Sequence, residues 1–407
     1  MCTNHRTWYC TTNITFYNLT LQSLAAMYLA ARRGYAFECG RLYCTYTYIR
    51  KNQLIKCPTN TSCQTKRRFH RVGSECPRQR TPIKLENRAD SFFTLKDIPI
   101  NALGENFNVI YAQAGPKDGD VVLMVHGSPA SHKGFQNMAE PLVANGYQVI
   151  LPNFPGMGWT PLPSSGCYNF SLPHKAQVLQ GLVEALKFEK VLMLCGHSMG
   201  CQAILHISSL PDFMSKCQSI CFVSSIGMRP HKLASPYFIK KWIFTGFYHL
   251  CQLPVLGPFL RDLSDPLFQK LGLKGRTKEA QVNSSQEAAY FDWKGAETAV
   301  DIFRQRELPM LLFQGDRDKL VQLDIALELL SGLGIKEENI AWYKRKTGKD
   351  RDDFSDNVLQ RGVVVEGGDH SIFSNSVDII TPEQLSFLKA VKQQQPDSQD
   401  RVNTEEK

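Results

Sequence analysis

The pattern of hydrophobic and polar positions changes near residue 81. Residues 1–80 sustain neither a period of 3.6 nor a period of 2, and one short helix is expected there, over about residues 19–33 (LTLQSLAAMYLAARR). Beyond residue 81 the texture becomes strand–helix alternation. Residues 107–112 (FNVIYA) read as a strand, and Val121–Val125 (VVLMV) is a short apolar run of the kind buried on both faces of a parallel sheet. A helix is expected over 138–145 and the next strand over 147–152. Residues 175–188 carry Val178, Leu179, Leu182 and Leu186 at helical spacing. Residues 191–195 form another buried strand, followed by a helix over 199–208. Further strands are expected at 220–224, 311–315 and 363–365, and an amphipathic helix at 382–391 closes the pattern. Strands alternating with helices predict an α/β fold, a mostly parallel sheet flanked by helices. Two stretches interrupt it. Residues 227–305 are helical and aromatic-rich, and residues 336–360 are charged and read as a solvent loop.

Charge and cysteine sharpen the division. The 407 residues are 43% hydrophobic and 21% charged, which excludes a wholly disordered or collagen-like chain. No run of ~20 apolar residues escapes helix breakers, so no ordinary transmembrane helix is expected. Residues 1–80 hold 13 Lys and Arg against Glu38 and Glu75, while the rest of the chain is almost balanced, so the formal charge of +9 belongs to the first fifth. Seven of the 13 cysteines lie there too. The domain reading is a basic, Cys-rich and largely unfolded extension over 1–80, a catalytic domain over 81–395 and a polar tail over 396–407. The extension has the low acid content of an organelle transit segment; the cytoplasm is the expected compartment and organelle import the alternative. Cys39, Cys44, Cys57, Cys63, His70 and Cys76 lack regular Cys-x2-Cys spacing, so no metal is expected, and no cofactor. The cluster Lys66-Arg67-Arg68 with His70 and Arg71 has no module to present it, so no nucleic-acid partner is expected. Cys195 and Cys201 read as packing residues. The Asn-x-Ser/Thr triplets at Asn13, Asn18, Asn60, Asn169 and Asn283 matter only in a secretory compartment.

The chemistry is concentrated at turns. Gly196-His197-Ser198-Met199-Gly200 follows the strand VLMLC and precedes a helix. A nucleophile on so sharp a turn needs small residues at −2 and +2, so that helix and strand can approach. Serine needs a base, and the base an orienting carboxylate. Gly315-Asp316-Arg317-Asp318 follows the strand MLLFQ. Asp318 is the expected acid, with Asp316 capping the turn. His370 follows the strand VVV and is the only histidine after residue 250, which makes it the expected base. An oxyanion requires two backbone N–H donors. Met199 and Ser128, in His126-Gly127-Ser128-Pro129, are the expected pair, with His126 and Gly127 shaping that loop.

Together these residues resemble the α/β-hydrolase superfamily of the serine-nucleophile type over about residues 90–393. Within it, HGSPASHKGF, NFPGMGWT and the long helical insertion look most like a nematode-type group, which brings no known substrate. The resemblance implies a serine hydrolase of carboxylic esters, lipid or other apolar acyl esters included, working through an acyl-enzyme. The alternatives are amide or C–C hydrolysis by the same triad, and a non-catalytic scaffold or receptor. Epoxide hydrolases and dehalogenases of this fold carry Asp where this chain has Ser198. The acyltransferase-like branch carries His-x4-Asp, and here Asn375 stands at that spacing after His370.

In this fold the insertion at 227–305 is the usual place of a cap. Residues 242–260 (WIFTGFYHLCQLPVLGPFL) contain no charged side chain, but Gly246, Pro254, Gly257 and Pro258 break them. They are expected to line an acyl pocket, through Trp242, Phe244, Phe247, Tyr248 and Leu253, or to touch a membrane surface. Ordinary packing within the cap is the competing expectation.

Overall fold

The computed structural model describes residues 92–102, 104–163, 168–344, 348–350, 354–355 and 357–394. The expectations for residues 1–80, zinc-site cysteines included, and for the tail lie outside the described residues. The elements run β1 (Thr94–Ala102), β2 (Glu105–Ala114), β3 (Val121–Val125), α1 (Gln136–Ala144), β4 (Gln148–Pro152), α2 (Leu172–Ala185), β5 (Met193–His197), α3 (Met199–Leu205), α4 (Pro211–Lys216) and β6 (Ile220–Val223). The insertion follows with α5 (Tyr237–Cys251), α6 (Leu256–Lys270), α7 (Lys278–Ala289) and α8 (Trp293–Gln305). The chain then returns through β7 (Met310–Gly315), α9 (Leu323–Gly332), β8 (Ile340–Lys344), β9 (Gly348–Lys349), β10 (Gln360–Val365), α10 (Ile372–Asn375) and α11 (Val377–Gln393).

The strands form one sheet in the order β1-β2-β4-β3-β5-β6-β7-β10-β8-β9. From β4 to β8 every neighbouring pair is parallel; β1, β2 and β9 join antiparallel at the edges. The apolar runs explain this centre. In β3, Val121, Leu123 and Val125 pack on one face while Val122 and Met124 pack on the other. β5 does the same, with Leu194 on the first face and Met193 and Cys195 on the second. A strand buried on both faces must be apolar along its length, as Val121–Val125 and Met193–Cys195 are. The chain steps from β3 outward to β4 and then back across β3 to β5. That reversal opens a crevice at the carboxyl ends of the strands, where ligands bind in open α/β sheets.

Two expectations need correction. Residues 336–360 are not simply a solvent loop: Ile340–Lys344 forms β8, parallel to β10, with Ile340 and Ala341 buried. β1 was also not expected. Its sequence TLKDIPINA mixes apolar and polar positions around Pro99 because it is an edge strand with much of its length exposed.

Candidate active site

β5 delivers Ser198 on a strained turn. Ser198 has φ 52° and ψ −116°, an unfavourable region for a residue with a side chain, held by its N–H to the Val223 carbonyl (3.0 Å). The flanking glycines are required sterically. A Cβ at Gly200 would collide with the Val125 carbonyl, and one at Gly196 would lie 2.8 Å from the Cys201 nitrogen.

Three side chains from three strand ends then meet. His370 Nε2 lies 2.8 Å from Ser198 Oγ, and His370 Nδ1 lies 2.7 Å from Asp318 Oδ2. Asp318 Oδ1 accepts the N–H groups of Leu320 (2.8 Å) and Val321 (2.9 Å), and Oδ2 also accepts from Gln314 Nε2 (3.2 Å). Burial alone would raise the Asp318 carboxyl. Its hydrogen bond and charge interaction with His370, with the two backbone donors, outweigh this and hold it below the usual carboxylate value.

The loops carrying Asp318 and His370 are fastened to each other. Asp316 Oδ1 accepts the Gly367 N–H (2.5 Å), the Asp316 N–H reaches Val365 O (3.1 Å) and the Arg317 N–H reaches Gly368 O (2.9 Å). Asp316 therefore stays out of the hydrogen-bond chain and caps the turn. Asn375 donates to both oxygens of Asp369 (3.1 and 3.0 Å), which braces the His370 loop.

His126 shapes its loop through a defined tautomer. Nδ1–H donates to Gly127 O (2.6 Å) and Nε2 accepts the Phe154 N–H (3.1 Å). Its burial lowers its pKa to about 3, so the ring stays neutral. The Ser128 N–H makes no hydrogen bond among the described residues, and Met199 opens α3, where the first N–H groups lack intrahelical acceptors.

Sequence reasoning missed two histidines. His197 donates from Nε2 to the His370 carbonyl (2.9 Å), and its ring lies 4.9 Å from that of His370. Burial lowers its pKa to about 3. His231, entering the cap, senses the charges of His370 and Asp318, and burial lowers it to about 4. Only the x in Gly-x-Ser-x-Gly marked His197 in advance, and nothing marked His231.

The cap aromatics divide between exposure and packing within the cap. Trp242 is 78% exposed and Leu253 45% exposed. Phe247 packs on Phe268 of α6 (6.1 Å between centroids), and Tyr248 meets Phe170 (5.7 Å). Phe244 is half-buried within α5. The apolar cluster that includes Met199 is instead built from Leu172, Ile226, Phe291, Val321 and Ile325. Asn283 is buried and donates to Gly156 O (2.9 Å), which removes it as a glycosylation acceptor.

The profile of the alpha/beta hydrolase fold family matches residues 120–349, more than half of the chain. The chain belongs to the α/β-hydrolase family. Relatives within it include the AB hydrolase superfamily protein YfhM of Bacillus subtilis, 29% identical over 49% of this chain and 69% of that protein. The 2-hydroxy-6-oxononadienedioate/2-hydroxy-6-oxononatrienedioate hydrolase of Cupriavidus pinatubonensis is 27% identical over 60% of this chain and 83% of its own. Among solved structures, a thermophilic esterase from Thermogutta terrifontis superposes with a TM-score of 0.50 at 16% identity, covering 73% of this chain and 99% of that one. At that identity the likeness concerns the α/β-hydrolase fold alone.

Proposed function

We propose that this α/β-hydrolase is a serine hydrolase of carboxylic esters. One observation carries the reading: the unbroken hydrogen-bond chain from Ser198 through His370 to Asp318, at 2.8 and 2.7 Å, on a serine with positive φ. Ser198 Oγ attacks the ester carbonyl while His370 Nε2 takes its proton, and the carbonyl oxygen gains the charge. The Ser128 and Met199 N–H groups hold that oxyanion. His370 then protonates the departing alkoxide, leaving an acyl-Ser198, and next takes a proton from the water that releases the acid. Asp318 keeps the imidazole in the required tautomer and stabilises its cation. His197, through the His370 carbonyl, and His126, through Gly127, position the loops on either side.

A fluorophosphonate probe tests this directly. Wild type is labelled, and Ser198→Ala of unchanged thermal stability is not. Equal labelling of both, or none of the folded wild type, rejects the reading. The kinship with the Cupriavidus enzyme, a hydrolase named for a 2-hydroxy-6-oxo dicarboxylate, favours C–C hydrolysis as the second reading. Turnover of a vinylogous 1,5-diketone that exceeds turnover of p-nitrophenyl esters would prefer it.

A further inference from the structure

We propose that the outer face of α5 and α6 docks on an anionic lipid bilayer. The proposal concerns the partner of the cap and stands apart from the chemistry at Ser198.

Both helices are apolar on the side that faces water. On α6, Leu256, Phe259, Leu263 and Leu267 recur at three- and four-residue spacing, and Phe259, Leu263 and Leu267 are each about 60% exposed. On α5, Phe238 and Trp242 lie four residues apart and are more exposed still. Val255, in the turn between the helices, is 90% exposed. The inward sides are already used: Phe247 and Phe268 pack on each other, and Asp265 accepts Gln281 Nε2 of α7 (2.9 Å). On α6 it is Arg261, Ser264 and Asp265 that turn partly inward while Phe259, Leu263 and Leu267 turn outward, the reverse of an ordinary surface helix. A contiguous apolar face of this kind on a water-soluble surface marks an interaction site. The turn is rigid enough to present Val255, because Arg261 donates to the Cys251 carbonyl (2.7 Å) and closes it. Among the described residues no helix is long and apolar enough to cross a membrane, so the geometry suits a surface that enters the interface and stops there.

Charge chooses the occupant. Residues 229–278 hold nine Lys and Arg against Asp262 and Asp265, a local excess in a domain that is otherwise acidic. Lys241, Lys270 and Lys274 are exposed, and with Lys240 they make no ion pair among the described residues. A second copy would bring this basic segment against itself, and residues 1–80, with 13 Lys and Arg against two Glu, would bring like charge too. Anionic headgroups complement the lysines, and acyl chains accept Phe259, Leu263 and Trp242.

The test is flotation of the full chain with vesicles of phosphatidylcholine, with and without phosphatidylserine. Binding to the anionic vesicles, weakened by salt, is expected. Phe259→Ser/Leu263→Ser should weaken partitioning on the order of a hundred-fold, and Lys240→Gln/Lys241→Gln roughly thirty-fold. Unchanged thermal melts show that the variants are folded, and Ser198→Ala should bind as wild type does, which separates docking from catalysis. Three results overturn the proposal. One is no binding to either vesicle. Another is equal binding by wild type and Phe259→Ser/Leu263→Ser, which would assign the affinity to the basic extension. The last is a concentration-dependent dimer dissolved by those two serines.

Discussion

His126 and His197 are buried beside the Ser198–His370–Asp318 chain, each with its pKa lowered to about 3. Unfolded, each titrates near ~6.5. The unfolded chain therefore binds more protons between these values, so stability is complete above pH ~6.5 and is lost as pH falls toward ~3. At pH 5 each histidine costs about 2 kcal/mol relative to pH 7. Thermal melts from pH 7 to pH 5 should show wild type losing stability more steeply than His197→Gln, which lacks one titrating ring. Parallel curves would reject the assignment. The three residues at the chemistry were legible because each ends an apolar run, in the order serine, acid, histidine. His197 and His231 were not, because their partners are a carbonyl and charges 87 or more residues away in sequence.

Among the elements, α2 and α7 are joined by an ion pair that sequence could not reveal. Lys175 of α2 and Glu287 of α7 are in direct contact, and both are buried almost completely. The ammonium group also lies 4.1 Å from the centroid of the Phe154 ring. Burial lowers the Lys175 pKa, and Glu287 opposes that shift. Two buried charges add little net stability as a pair, but removing one leaves the other unpaired in a low dielectric. Glu287→Gln should therefore lose roughly 3–5 kcal/mol in urea unfolding, while Lys175→Met/Glu287→Leu should lie close to wild type. A small loss in Glu287→Gln would show that water reaches Lys175. The same scale explains the missed acyl pocket. Counting aromatic residues in 242–260 gives content but not direction, and the register of α5 turns Trp242 outward while Phe247 turns toward α6. β8 was hidden for a related reason. Its two buried residues, Ile340 and Ala341, belong to a short run between Glu337-Glu338-Asn339 and Lys344-Arg345-Lys346, and pairing with β10 identifies them as strand.

For the whole molecule, the parallel centre of the sheet was readable from its apolar runs, and the edges were not, because half-exposed strands carry mixed sequence. The break near residue 81 separates a strongly basic stretch from a remainder with 34 Lys and Arg against 36 Asp and Glu. Removing residues 1–80 should leave fluorophosphonate labelling of Ser198 unchanged; lost labelling in a folded product would show that the boundary is misplaced. The backbone latch between the Asp316 turn and Gly367-Gly368 has a wider consequence. Among the described residues, neither loop borrows a hydrogen bond from residues 227–305 to hold Asp318 or His370. The proton relay thus belongs to the sheet's own loops, while the insertion is wedded to the sheet elsewhere, and a chimaera carrying a sister protein's cap would have to keep a partner for Lys175 before it could acquire a different appetite for substrates.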